Sequence, residues 1–140
     1  ERGKAYPPWG NQDPRRVSGE ATVMARRDLS GAVDFSVLEG MTGGDDAIGE
    51  EVLGLFVQQA AMWSPMLDVR EDGWRDGVHT IRGAAAGIGA GALTEACAAA
   101  EAAGKAEAPP LLDRVRDALD VALADVAAFR HELMLRSLKG

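Results

Sequence analysis

His79 begins a short run in which a nucleophile, a cation and a glycine stand at helical spacing. Arg82 follows three residues later and Gly83 four residues later. Positions i, i+3 and i+4 share one face of a helix, so Arg82 would stand beside the imidazole and Gly83 would leave bare backbone below it. An exposed imidazole with a guanidinium and open space beside it suits a nucleophile that receives a large, doubly charged group.

Helical segments before and after this run would position it. On the first, after an N-cap at Asp45 or Asp46, the residues at helical spacing are Ile48, Val52, Leu55, Phe56, Gln59 and Trp63. On the second, the apolar stripe holds Trp74, Val78, Ile81, Ala85 and Ile88, and the neighbouring stripe holds Arg75, His79, Arg82, Gly83 and Ala86. The core stripe thus bypasses His79, which predicts an imidazole off the core.

Two further helices complete the pattern. The third has an apolar face of Leu93, Cys97, Ala100 and Gly104, with Lys105 as a cation at its C-terminus. The last begins at Pro109-Pro110 and repeats apolar residues every three to four positions, at Leu112, Val115, Leu119, Ala122, Val126, Phe129 and Leu133. No run alternates with period two over a useful length. The sequence therefore predicts an all-α protein, an antiparallel up-down four-helix bundle.

The N-terminal part differs from the rest. Residues 1–31 carry Pro7, Pro8 and Pro14, scattered glycines and no sustained periodicity, which predicts an extended, flexible arm. The segment Val33–Leu38 is predicted to form a short extra helix, and Met41-Thr42-Gly43-Gly44 to break the chain. Residues 32–140 would then form one helical domain, as the length allows.

Composition excludes several classes of function. The 140 residues carry a formal net charge of -7, which argues against nucleic acid and anionic membranes as partners. Cys97 is the single cysteine, so no internal disulfide can form, which suits a reducing compartment. No apolar run approaches the ~18 residues of a membrane span. These features predict a cytoplasmic protein, and no His, Cys, Asp or Glu cluster has metal-ligand spacing.

The run from His79 resembles the histidine phosphotransfer (HPt) family, whose signature is roughly His-x-x-Lys-Gly, a small-residue run, a Gly, and an apolar-Glu pair. The similarity covers about residues 33 to 105, and the last helix matches in length and periodicity. The matching positions are His79, Arg82, Gly83, Gly89, Leu93, Cys97, Glu101 and Lys105, with Gly44-Asp45-Asp46, Leu55-Phe56 and Asp72-Gly73-Trp74 upstream. Arg82 replaces the family's usual lysine, and Val78 stands where alanine is common.

The resemblance implies a phosphocarrier and not an enzyme. His79 would accept a phosphoryl group from the aspartate of a receiver domain, in a response regulator or a hybrid histidine kinase, and pass it to another. Glu101 would accept a hydrogen bond from Nδ1–H of His79, and Lys105 would add positive potential. The chain would need no cofactor of its own, because Mg2+ belongs to the receiver, and would act as a monomer. A solvated Glu101 and a Lys105 that complements only the helix dipole remain alternatives.

The rest of the predicted site also follows from the resemblance. Arg82 and Gly83 would flank the phosphoryl group, and Ala86 and Arg75 would extend the docking face on the same stripe. The small residues after Gly83 would permit close approach of a partner protein and tight helix packing.

Other motifs favour different interpretations. The stretch 87–92 resembles a dinucleotide fingerprint, but the preceding residues 77–82 are too polar for a central parallel strand. The downstream Tyr-x-x-x-Lys pair of short-chain dehydrogenases is also missing, because Tyr6 is the only tyrosine. The residues around His131 resemble the phosphoacceptor box of sensor kinases, although Met134-Leu135-Arg136 replaces the usual Arg-Thr-Pro. Two alternatives therefore remain open: an interaction bundle in which His79 is incidental, and a kinase dimerisation fragment that uses His131.

Overall fold

The computed structural model describes residues 32–139, so the predicted N-terminal arm lies outside the described residues. Within them the chain is all-helical, as predicted. The α-helices are α1 (Phe35–Thr42), α2 (Asp46–Trp63), α3 (Trp74–Ile88), α4 (Gly91–Ala102) and α5 (Ala108–Lys139). A 3-10 turn, Ser64–Met66, follows α2 at Pro65. The predicted division into arm and domain stays a prediction.

α1 is longer than the sequence suggested. Its N-cap, Asp34, accepts a hydrogen bond from the Ser36 backbone N–H, and the helix continues through Met41 and Thr42. The break falls at Gly43 and Gly44, whose φ angles are 66° and 82°. Glycine adopts this left-handed conformation without the steric cost that a Cβ brings. Met41 and Thr42, which were predicted to belong to the break, are therefore helical.

The core lies where the apolar patterns of the second and the last predicted helices placed it. All seven predicted positions on α5 are buried, and so is the predicted apolar stripe of α3. The rings of Phe35 on α1 and Phe129 on α5 stack with their centroids 4.1 Å apart. α1 thereby closes one end of the bundle against α5.

The buried face of α2 differs from the predicted stripe. Gly49, Leu53, Phe56 and Ala60 are buried, whereas Ile48 and Leu55 are exposed. The predicted stripe was wrong for these two residues. Leu55 lies on a flank of α2 that faces the small residues Ala84 and Gly87 of α3 across an apolar groove.

The C-terminal end of α4 lies earlier in the chain than the sequence predicted. The helix ends at Ala102, and its C-cap Ala103 is extended, with φ −83° and ψ 151°. Gly104 and Lys105 are exposed and lie beyond the helix. Gly104 is therefore not part of the apolar face, and Lys105 is not a cation on the last helical turn.

The C-terminus of α3 holds α1 in place. Gly89 caps α3 with φ 84°, and its carbonyl accepts a hydrogen bond from the Asp34 N–H at 2.9 Å. A Cβ at Gly89 would collide with the Asp34 carbonyl and press against Val37. Glycine is thus required here both by its φ angle and by the close approach of α1.

Candidate functional site

His79 stands on α3 outside the core. Its side chain is 65% exposed, whereas Val78 and Ile81 on the adjacent stripe are buried. The prediction that the core stripe bypasses the histidine is confirmed. The imidazole is therefore held by α3 and open to a reacting partner.

Small buried residues lie between α3 and its neighbour α4. Ala85 on α3 and Cys97 and Ala100 on α4 are fully buried. Small side chains at a contact let two helices approach closely, because the distance between helix axes depends on the side chains between them. This packing brings Glu101, the residue after Ala100, to the imidazole of α3.

Glu101 contacts the histidine directly. Its Oε2 lies 2.7 Å from Nδ1 of His79, the contact that the family resemblance implied. When the proton is on Nδ1, it is donated to the carboxylate, and Nε2 carries the free lone pair. Nε2 is then the nucleophilic nitrogen. Because the Glu101 side chain is only 23% exposed, the contact is partly shielded from water.

Arg82 contacts the other oxygen of the same carboxylate. Its Nε lies 3.0 Å from Oε1 of Glu101, and the guanidinium side chain is 39% exposed. This contact is an ion pair whose N–H is not aimed at the oxygen, because the buried Oε1 accepts no hydrogen bond from residues 32–139. The sequence placed Arg82 beside His79 but did not predict its pairing with Glu101.

The surface next to the imidazole is open. Gly83 and Ala86 are exposed, and a Cβ built on Gly83 would meet no heavy atom within 4 Å. A partner could therefore approach the α3 backbone at this point. The same is true at Gly87, one turn further along the helix.

The two remaining predicted site residues stand apart from the carboxylate. Arg75 lies over the Trp74 ring, 4.5 Å from its centroid, and donates a hydrogen bond to the carbonyl of Ala103. It therefore links α3 to the end of α4. Lys105 is exposed in the turn after α4. The structure thus brings together His79, Arg82 and Glu101, with the open backbone at Gly83, and leaves Lys105 outside this group.

Cys97 lies one helical turn before Glu101 but does not supply a second nucleophile. Burial raises the pKa of its thiol to about 12, and the negative charge of Glu101 acts in the same direction, whereas Arg82 opposes it. The thiolate is the reactive form of cysteine. The buried, neutral thiol is therefore a packing residue.

Sequence patterns did not predict an apolar groove that lies beside α3. It has a volume of about 250 Å3 and is lined by Met41, Val52, Leu55, Phe56, Gln59, Ala84, Gly87 and Ile88. The sequence signal for it was the stripe of α2 that holds Val52, Leu55 and Phe56 at helical spacing. Periodicity alone does not show which flank of such a stripe a neighbouring helix covers.

His131 lies in a different part of the molecule. It is exposed on α5 and lines a groove of about 570 Å3 between α2 and α5, together with Glu50 and Arg130. In the described part of the chain, no group of three or more His, Cys, Asp and Glu residues could hold a metal ion. None of the helices between residues 32 and 139 is long and apolar enough to cross a membrane.

Comparisons with known proteins identify the class of protein. The family described as Hpt domain matches residues 66–126. The chain is similar to the crystal structure of histidine phosphotransferase ShpA from Caulobacter crescentus, with 50% sequence identity and a TM-score of 0.65, over 76% of this chain and 97% of that chain. Comparison with curated proteins gives no match. The chain belongs to the HPt family, whose members carry phosphoryl groups in phosphorelays that include receiver domains.

Proposed function

We propose that this protein relays a phosphoryl group between the aspartates of two receiver domains through a phosphohistidine at His79. The observation that carries the proposal is the exposed imidazole whose Nδ1 lies 2.7 Å from the Glu101 carboxylate. With the proton on Nδ1, the Nε2 atom of this exposed ring carries the free lone pair. A phosphoryl acceptor needs these two properties, an unprotonated nucleophile and unobstructed access.

In the proposed step, Nε2 of His79 attacks the phosphorus of an aspartyl phosphate. The Nε2–P bond forms, the P–O bond to the aspartate breaks, and the aspartate leaves as a carboxylate. The proton on Nδ1 stays on the ring, and Glu101 stabilises the positive charge that the ring gains. The reverse attack by a second receiver's aspartate regenerates neutral His79.

The chain itself contributes a positioned nucleophile and a nearby cation. Phosphoryl transfer depends largely on in-line positioning and electrostatic stabilisation, and Arg82 is placed to supply positive charge. The Mg2+ that balances phosphate charge belongs to the receiver in this proposal. The protein would then act as a cytoplasmic monomer with a receiver of a response regulator or a hybrid kinase, and Gly83, Ala86 and Arg75 would lie in the docking surface.

Phosphorylation mapping tests the proposal. Receiver domains phosphorylated with acetyl phosphate are incubated with the wild-type chain and with His79→Gln, and acid-labile phosphate is located by mass spectrometry at neutral pH. We expect phosphate on His79 in the wild type and none in the variant. Thermal unfolding should hardly change, because an exposed side chain contributes little to stability.

His131→Gln is the matched control, because His131 is also exposed and helical. It should accept phosphate at the wild-type rate. Labelling of His131, together with a stable dimer, would support a kinase dimerisation fragment. Absence of acid-labile phosphate on either histidine with every receiver tested would support a non-catalytic interaction bundle.

A further inference from the structure

The carboxylate of Glu101 contacts two different functional groups at once. One oxygen lies 2.7 Å from Nδ1 of His79, and the other lies 3.0 Å from Nε of Arg82. The two groups stand three residues apart on α3, and Glu101 reaches both from α4. A single side chain on α4 therefore fixes both the nucleophile and the cation relative to each other.

The contact with Arg82 uses only part of its guanidinium. Arginine has five N–H donors in a planar fork, one of them on Nε and four on the two terminal nitrogens. The terminal nitrogens of Arg82 make no hydrogen bond to any residue between 32 and 139, and the side chain is 39% exposed. They remain free for the oxygens of a group that arrives at His79.

Lysine could not divide its contacts in this way. Its ammonium is a single compact charge on a flexible stem, and its three donors share one nitrogen, so Glu101 and the phosphoryl oxygens would compete for the position of that one atom. Arginine can hold Glu101 with Nε and present its terminal nitrogens in a fixed direction. The identity of residue 82 therefore matters beyond its charge.

Resting on the proposed function, we infer that Glu101 is a positioning residue for Arg82 as well as for His79. Its Oε1 holds Nε, so that the terminal nitrogens of Arg82 contact the phosphoryl oxygens while Nε stays on the carboxylate. The advantage of arginine over lysine at this position therefore depends on Glu101. Removing the carboxylate should remove most of that advantage.

A double-mutant cycle tests this dependence with Arg82→Lys, Glu101→Gln and the double variant. Glutamine replaces one of the two carboxylate oxygens by an NH2 group, which donates and cannot pair with Arg82 while the carbonyl oxygen stays on His79. The measured quantity is the rate of His79 phosphorylation by phosphoramidate, which needs no receiver. We expect Arg82→Lys to slow this rate about tenfold in the wild-type background, the scale of one hydrogen bond to a charged group, and much less in Glu101→Gln.

Equal effects of Arg82→Lys in both backgrounds would overturn the inference, because additive changes indicate groups that act independently. Arg136→Lys serves as the matched control. Arg136 forms an ion pair with Asp46, whose Oδ1 lies 3.0 Å from Nη1 of the arginine, on the α2–α5 side of the bundle. Its substitution should leave the phosphorylation rate unchanged in either background.

A second measurement separates this inference from the proposed function. In the unphosphorylated protein, 15N NMR should show the Nε resonance of Arg82 shifting in Glu101→Gln and in Glu101→Ala, because the paired carboxylate charge is removed. An unchanged Nε resonance in both variants would overturn the pairing even if His79 is phosphorylated normally. A resonance that shifts in both variants without any phosphorylation of His79 would instead overturn the phosphotransfer role and the phosphoryl contact, while the Glu101–Arg82 pair would stand.

Discussion

The contact between α3 and α4 is packed differently from the contact between α2 and α5. Where α3 packs on α4, the small residues Ala85, Cys97 and Ala100 are fully buried, and polar contacts join His79 and Arg82 of α3 to one carboxylate of α4. Between α2 and α5 a groove of about 570 Å3 stays open. Partly exposed ion pairs bridge that second seam.

In the described part of the chain, the ion pairs at the α2–α5 seam do not include His131, although its exposed imidazole lines the same groove. Glu50 accepts hydrogen bonds from Nε of Arg130 at 3.0 and 3.1 Å, and Asp46 pairs with Arg136. Arginine–carboxylate contact is therefore common to both seams. What distinguishes the α3–α4 seam is that its carboxylate also orients an exposed imidazole, with open backbone next to it. Chemistry depends on this third partner and not on the ion pair alone.

The largest expected effect is on access to that imidazole. Gly83→Leu should slow phosphoryl transfer from a receiver about a hundredfold, the scale of a misplaced reacting group, because the new side chain occupies the open space beside His79. Helicity should be kept or improved, since leucine is a better helix former than glycine by up to ~1 kcal/mol. Stopped-flow transfer rates and circular dichroism measure the two effects.

Gly54→Leu is the matched control on the other side of the bundle. Gly54 is also helical, and a Cβ there would make only ordinary contact with Arg130. Transfer should continue at the wild-type rate. If both glycine variants transferred normally, the α3 face would not be the docking surface.

The next effect concerns packing. Ala100→Leu should lower the free energy of unfolding by about 1–3 kcal/mol, because extra methylene groups do not fit a filled core. The same variant should transfer phosphate more slowly, since Glu101 is the next residue and would be displaced from His79. Chemical denaturation and transfer kinetics on the same sample would measure both changes.

Ala127→Leu makes the same substitution in the open groove between α2 and α5, where Ala127 is exposed. The free energy of unfolding should change by less than ~0.5 kcal/mol, as for other surface substitutions. Equal destabilisation by the two leucines would contradict the contrast between a filled and an open seam.

The smallest effect is expected from removing the ion pair between Glu50 and Arg130. Hydrogen bonding to Arg130 lowers the pKa of Glu50, so its contribution to stability is present above the usual glutamate pKa and is lost as pH falls through the lowered value. At pH 7, Glu50→Gln should reduce the free energy of unfolding by at most ~1 kcal/mol, because exposed ion pairs contribute little. Urea unfolding from pH 7 down to pH 3 should show the difference from wild type shrinking, whereas the exposed neighbour Glu51→Gln should show none.

Sequence patterns predicted the elements that depend on local periodicity. The buried stripes of α3 and α5 follow a 3.6-residue repeat, so they could be read directly from apolar residues. The end of α3 at Gly89 was also predictable, because a left-handed cap favours glycine. α2 was less predictable: exposed Ile48 and Leu55 continue the apolar pattern, and only the position of α3 decides which flank is covered.

His79, Arg82 and Gly83 share a face of α3 because of their spacing, and the sequence by itself determined that. The family resemblance suggested Glu101 as the histidine's partner, but local pattern could not, since the two residues lie 22 positions apart on different helices. Tertiary structure decided three further features: the pairing of Arg82 with Glu101, the exposure of Lys105 beyond α4 and the groove beside α3. The pairing and the groove depend on how closely neighbouring helices approach, and the side chains packed between the helices set that distance. The exposure of Lys105 depends on where α4 ends.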